Sequence, residues 1–106
     1  MNYKDELLNR INKLLSGEWN VPEFQENYYM YFLESVPFDS LSDSEQDFFS
    51  FLQEQLDWTD PNPDEESRRD GWRDEREYIE LVRRNLTDFL ADENKWHEAY
   101  KGSWGK

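Results

Sequence analysis

Two short strings, Asn20-Val21-Pro22-Glu23 and Ser42-Asp43-Ser44-Glu45, restrict the fold of this 106-residue chain more than any other feature. Each sets an Asn or Ser three residues ahead of a Glu. The first side chain can then accept from a helix amide while the Glu reaches back to the cap amide, which marks a helix start. Pro22 strengthens the first signal, because an opening turn has no use for that donor. Behind each start, apolar residues recur every three or four positions. Val21, Phe24, Tyr28, Tyr31 and Phe32 share one face until Pro37 stops the helix, and Phe48, Phe49, Leu52 and Leu56 share another.

Two more segments carry the same period. Tyr3 to Ser16 puts Tyr3, Leu7, Leu8, Ile11, Leu14 and Leu15 on one side, with Gly17 placed to end it in the left-handed conformation. A long last helix, about Asp74 to Glu93, carries Tyr78, Ile79, Val82, Leu86, Phe89 and Leu90. The prediction is an all-α chain: a compact, mostly antiparallel four-helix bundle with an acidic loop between helices three and four. Residues 1–94 form its single domain, and residues 95–106 a tail that is either docked or loose. The length suits one core rather than two. With 35% of residues charged and 36% hydrophobic, the 17% that are aromatic supply the buried area that ordering requires.

The charge is segregated. From Leu14 to Ser67 there is no Lys or Arg and there are fourteen acids, so nearly the whole net charge of −13 lies in one contiguous half. Such an excess repels nucleic acid and anionic lipid and attracts basic surfaces. Without cysteine the chain has no disulfide or thiolate metal site. The longest apolar run, Tyr28 to Leu33, is far short of the roughly 20 residues needed to cross a bilayer. No signal peptide is recognisable, and the expectation is a soluble cytoplasmic protein without cofactor, its oligomeric state open with a monomer favoured.

Enzyme chemistry finds little support. His97 is the only histidine, and a Ser-His-Asp set requires the tail to fold back on the bundle. Asp57, Asp60, Asn62 and Asp64 lie close in sequence but lack the alternating ligands, central glycine and terminal Glu of a calcium loop. The candidates therefore belong to a partner surface. On the third helix Asp43, Asp47 and Glu54 gather opposite the apolar face, with Phe51 beside them and no interspersed cation. The link Asp57-Trp58-Thr59-Asp60-Pro61-Asn62-Pro63-Asp64-Glu65-Glu66 reads as a stiff surface loop, and an indole in a polar loop either anchors it or meets a partner. On the second helix Tyr29, Met30 and Leu33 have no place in a one-sided core. Packing on a neighbouring helix is the leading reading for them and an exposed binding surface the other. Arg68, Arg69, Arg73 and Arg76 are read as neutralising the nearby acids rather than as an anion site.

The order Leu14-Leu15, Trp19-Asn20-Val21-Pro22-Glu23-Phe24, Tyr28 to Leu33, Leu41-Ser42-Asp43-Ser44-Glu45, an acidic Asp-Pro loop and a final Tyr-Ile helix resembles the bacterial self-protective colicin-like immunity proteins. That family includes the immunity proteins of colicin D and of contact-dependent growth inhibition. The likeness spans roughly residues 5–90 and rests on order and spacing. It implies a four-helix bundle that covers the basic, substrate-binding cleft of a transfer-RNA-cleaving toxin. It also implies that acids near the end of the third helix and in the following loop, here Asp57, Asp60 and Asp64, make the contact. The loop of this chain departs from the family in being longer, with two prolines and Trp58.

The expected function is thus non-enzymatic neutralisation of a basic nuclease toxin, using Tyr29, Asp43, Asp47, Phe51, Glu54, Asp57, Trp58, Asp60, Asp64 and Glu65. A DNA-mimicking antirestriction or phage-encoded inhibitor is the alternative.

Overall fold

The computed structural model describes residues 3–104, with side-chain detail everywhere in that range except positions 38 and 102–104. The described chain is all-helical: α1 (Tyr3–Leu15), α2 (Val21–Met30), α3 (Asp43–Leu56), α4 (Glu65–Arg69), α5 (Glu75–Ala91) and α6 (Glu93–Trp104). Both predicted start signals are formed. Asn20 accepts from the Glu23 amide at 2.9 Å and Glu23 from the Asn20 amide at 3.1 Å. Ser42 and Glu45 do the same at 3.2 and 2.8 Å. A third reciprocal cap, Asp74 with Glu77, opens α5. At the end of α1, Gly17 takes φ +85°, a conformation that costs a residue with a Cβ.

Helix α1 packs on α2 and α5, α2 on α3, and α3 on α5, so the contacts close a ring around one core. Helix α6 packs on α3 and α5. The apolar stripes meet inside: Leu7, Ile11 and Leu14; Val21, Phe24, Tyr28 and Phe32; Phe48, Phe49, Leu52 and Leu56; Tyr78, Val82, Leu86 and Phe89. Two core phenols are hydrogen-bonded, Tyr28 donating to the Phe49 carbonyl at 2.8 Å and Tyr78 to the Leu52 carbonyl at 2.9 Å. Burial raises the pKa of both, which keeps them protonated as donors. Tyr78→Phe removes one such bond between α5 and α3, and a loss of about 1 kcal/mol in urea unfolding is expected.

The structure departs from the sequence expectation along the second helix, in the link after α3 and at Leu90. The second helix does not run regularly to Pro37: after Met30 it opens into a π-helical turn, Tyr31–Ser35, in which the Val36 amide donates to the Tyr31 carbonyl at 3.2 Å. Tyr31 is consequently only partly buried, with the Arg10 guanidinium 4.1 Å from its ring centre. The link after α3 is not loop throughout, since Glu65 and Glu66 belong to α4, capped by Asp64. Leu90 is 60% exposed, because Phe89 takes the core position and Leu90 lies about 100° further round the helix.

The chain end, which the sequence leaves either docked or loose, is docked. Asp92, with φ −157° and ψ 96°, breaks the helix, and a new one begins that docks on the bundle. Trp96 enters the core among Phe48, Phe89 and Phe51, its indole donating to Asn85 at 3.0 Å. Of the tail 95–106, the side-chain detail of residues 102–104 and all of residues 105–106 lie outside the described residues.

Candidate functional site

The carboxylates of the Lys/Arg-free half divide by what they touch. Glu45 pairs with Lys4 at 3.1 Å, Glu18 with Lys13 at 3.7 Å, and Glu65 with Arg69 at 3.1 Å. Asp60 accepts from the Asn62 amide and Asp64 from the Ser67 amide, at 2.8 and 2.7 Å. Those two bonds shape the backbone, with Asp60 partly buried and Asp64 exposed; the one at Ser67 holds the Asp64 carboxyl below the usual carboxylate range. Glu26, Glu34, Asp39, Asp43, Glu54, Asp57 and Glu66 have no cationic side chain within ion-pairing distance among the described residues.

Glu45 illustrates an acid with an internal role. Burial opposes its ionisation, but the Ser42 amide and the Lys4 ammonium outweigh that cost, and its pKa is lowered. A carboxyl lowered on folding stabilises the protein above its unfolded value of 4.5 and stops doing so as the pH falls through the lower folded value. Glu45→Gln keeps the capping oxygen and removes the charge. Its deficit in Tm relative to the native chain should be full at neutral pH and shrink below about pH 4.5; an unchanged gap at pH 3 would show that the charge contributes nothing.

The predicted acidic face of α3 is divided by α6. His97, buried on α6, lies with its Nε2 2.6 Å from Asp47 Oδ2. Phe51 packs edge-on against Trp96 and Tyr100. Burial, then the negative charges of Glu54 and Asp47, raise the Tyr100 pKa. Asp47 and Phe51 thus hold α6 to α3, whereas Asp43 and Glu54 stay exposed. The tail does fold back, yet no serine or threonine hydroxyl bonds to His97 among the described residues. Nor do three or more His, Asp or Glu side chains converge on a metal-sized site there.

The α3–α5 connection forms a built ledge. The Asp60 amide donates to the Arg73 carbonyl at 2.9 Å and the Arg73 amide to the Trp58 carbonyl at 3.0 Å, pinning the two strings side by side. Arg73 also donates to the Gln55 side chain and Thr59 to the Gln55 carbonyl, while Pro63 is buried. Trp58 is left 47% exposed with its ring 5.6 Å from that of Trp72. Trp72 was not among the sequence candidates, though a second indole in a polar connection qualifies by the same reasoning as Trp58. The arginines neutralise the link only in part. Arg69 meets Glu65, but Arg68 turns to Asp74 and Glu77 at the start of α5, at 3.2 and 2.7 Å.

Beside the ledge, α2 and α3 frame a groove. Glu26, Tyr29 and Met30 line one wall and Gln53 and Asp57 the other. Tyr29, Met30 and Leu33 are 41%, 48% and 55% exposed, so they do not pack on a neighbouring helix. The helix runs on into the π-helical turn immediately after Met30, and no described element covers that face. Among the described side chains, four of the five large exposed apolar residues, those three and Trp58, thus stand in the acidic half. No helix among the described residues is long and apolar enough to cross a membrane. No family model, curated protein or solved structure matches the chain.

Proposed function

We propose that this chain is an immunity-type inhibitor that binds and neutralises a basic bacterial nuclease, with carboxylates standing where the nuclease would hold RNA phosphates. In this reading α1, α2, α3 and α5 are the four helices of a mostly antiparallel bundle, α4 and α6 are additions, and the link after α3 is the acidic loop of the family it resembles. The inhibitor acts as a monomer in the cytoplasm, where the RNA is. One observation carries the reading: Tyr29, Met30 and Trp58 are exposed beside Glu26 and Asp57, which have no cationic partner among the described residues. Unpaired acids steer a basic partner to the surface, and exposed rings supply the desolvated contact that slows its release.

The test is to identify a large secreted protein with a basic C-terminal domain encoded immediately upstream of the gene and to mix that purified domain with this chain. A one-to-one complex that weakens with salt and stops transfer-RNA cleavage is expected. Absence of a complex at micromolar concentration would refute the assignment. Capture of a restriction enzyme that duplex DNA displaces, with no protection of RNA, would move it to DNA mimicry.

A further inference from the structure

We infer that the groove between α2 and α3 takes an arginine side chain of the partner. The partner's identity rests on the proposed function, whereas the ligand chemistry rests on the groove itself.

Three observations converge. Glu26 and Asp57 lie on opposite walls, and neither has a cation of this chain within ion-pairing distance among the described residues. On the α3 wall Gln53 lines the groove, and its Oε1 is shut off from solvent with no hydrogen-bond donor among the described residues. An acceptor in that state is costly unless a donor reaches it, and an incoming N–H has more to gain there than at a hydrated oxygen. Tyr29 and Met30, half exposed on the α2 wall, offer a ring face and a flexible thioether chain.

Helical spacing produces this set. Glu26 precedes Tyr29 by three and Met30 by four residues on α2, and Gln53 on α3 precedes Asp57, at that helix's C-terminal cap, by four, so two rows face each other across the cleft. A carboxylate on each wall, a dry acceptor on one of them and an aromatic face ask for a planar cation with donors pointing in several directions. Guanidinium has five donors in one plane, is weakly hydrated and stacks on rings. An ammonium is a strongly hydrated point charge, and reaching the dry oxygen would cost it more of its water.

The probes are a hexa-arginine and a hexa-lysine peptide, titrated into the isotope-labelled full chain at physiological salt and followed by NMR. The arginine peptide should bind about tenfold tighter, the effect of one added charge-assisted bond, with the largest shifts at the Gln53 side-chain amide and the Tyr29 ring. Gln53→Leu should bring the two affinities together, and Gln53→Glu, which keeps an acceptor of the same length, should retain or widen the preference. Glu26→Gln with Asp57→Asn should weaken both peptides. Equal affinities in the native chain, or a preference that survives Gln53→Leu, would overturn the inference. So would shifts centred elsewhere. Arginine selectivity without inhibition of any nuclease would leave the groove standing and remove the toxin reading; inhibition without selectivity would do the reverse.

Discussion

Trp96→Ala should lower the free energy of unfolding by about 3–5 kcal/mol, read from the urea midpoint with the slope unchanged. Trp96 is buried, stacks on Tyr100 at 5.2 Å and meets Phe48, Phe51 and Phe89 edge-on. Truncation therefore empties a space walled by rings from three helices and leaves the Asn85 side chain without its donor. A small domain has only about 5–15 kcal/mol in total, so the variant should sit near the edge of folding. A loss below about 0.5 kcal/mol, ordinary for a surface substitution, would mean that α6 is not part of the cooperative unit.

The second large effect concerns binding. Asp57→Lys combined with Trp58→Ala should raise the Kd for the basic partner by at least about 100-fold, since tryptophan anchors and desolvated charges dominate such interfaces. The two are neighbours, so their effects need not add. Neither substitution threatens the fold: Trp58 is exposed, and Asp57 has no ion pair among the described residues. Asp64 is a poor target by contrast, because its side chain caps α4 through the Ser67 amide. Circular dichroism should be unchanged and the change should fall mainly in the off-rate. Unaltered affinity would show that the ledge and groove are not the contact surface.

Local rules carried far here where the deciding interactions lie within one helix. The reciprocal caps at Asn20 and Ser42 and the stop at Gly17 involve partners three or four residues away, and they form as expected. The stripes on α1, α3 and α5 needed only a period, and the buried residues follow it. Leu90 failed because a period defines a face without saying where its edge falls. The alternating pattern of residues 95–104 was too weak to assign by itself; docking of Trp96 beneath Phe48 and Phe89 settles its state.

The candidate surface was legible as composition and not as geometry. The absence of Lys and Arg from Leu14 to Ser67 could be read directly, as could the presence of Trp58 and Tyr29 within it. Which acids remain free depends on residues forty or more positions away: His97 holds Asp47, and Tyr100 and Trp96 cover Phe51. Trp72 reaches Trp58 only because the Arg73 backbone pairs with the link. Helix identity, cap chemistry and the segregation of charge are properties of neighbours along the chain, and the sequence determines them. The choice between an acid that holds α6 and an acid that faces solvent belongs to the tertiary structure, because a carboxylate's role is decided by whichever helix packs over it.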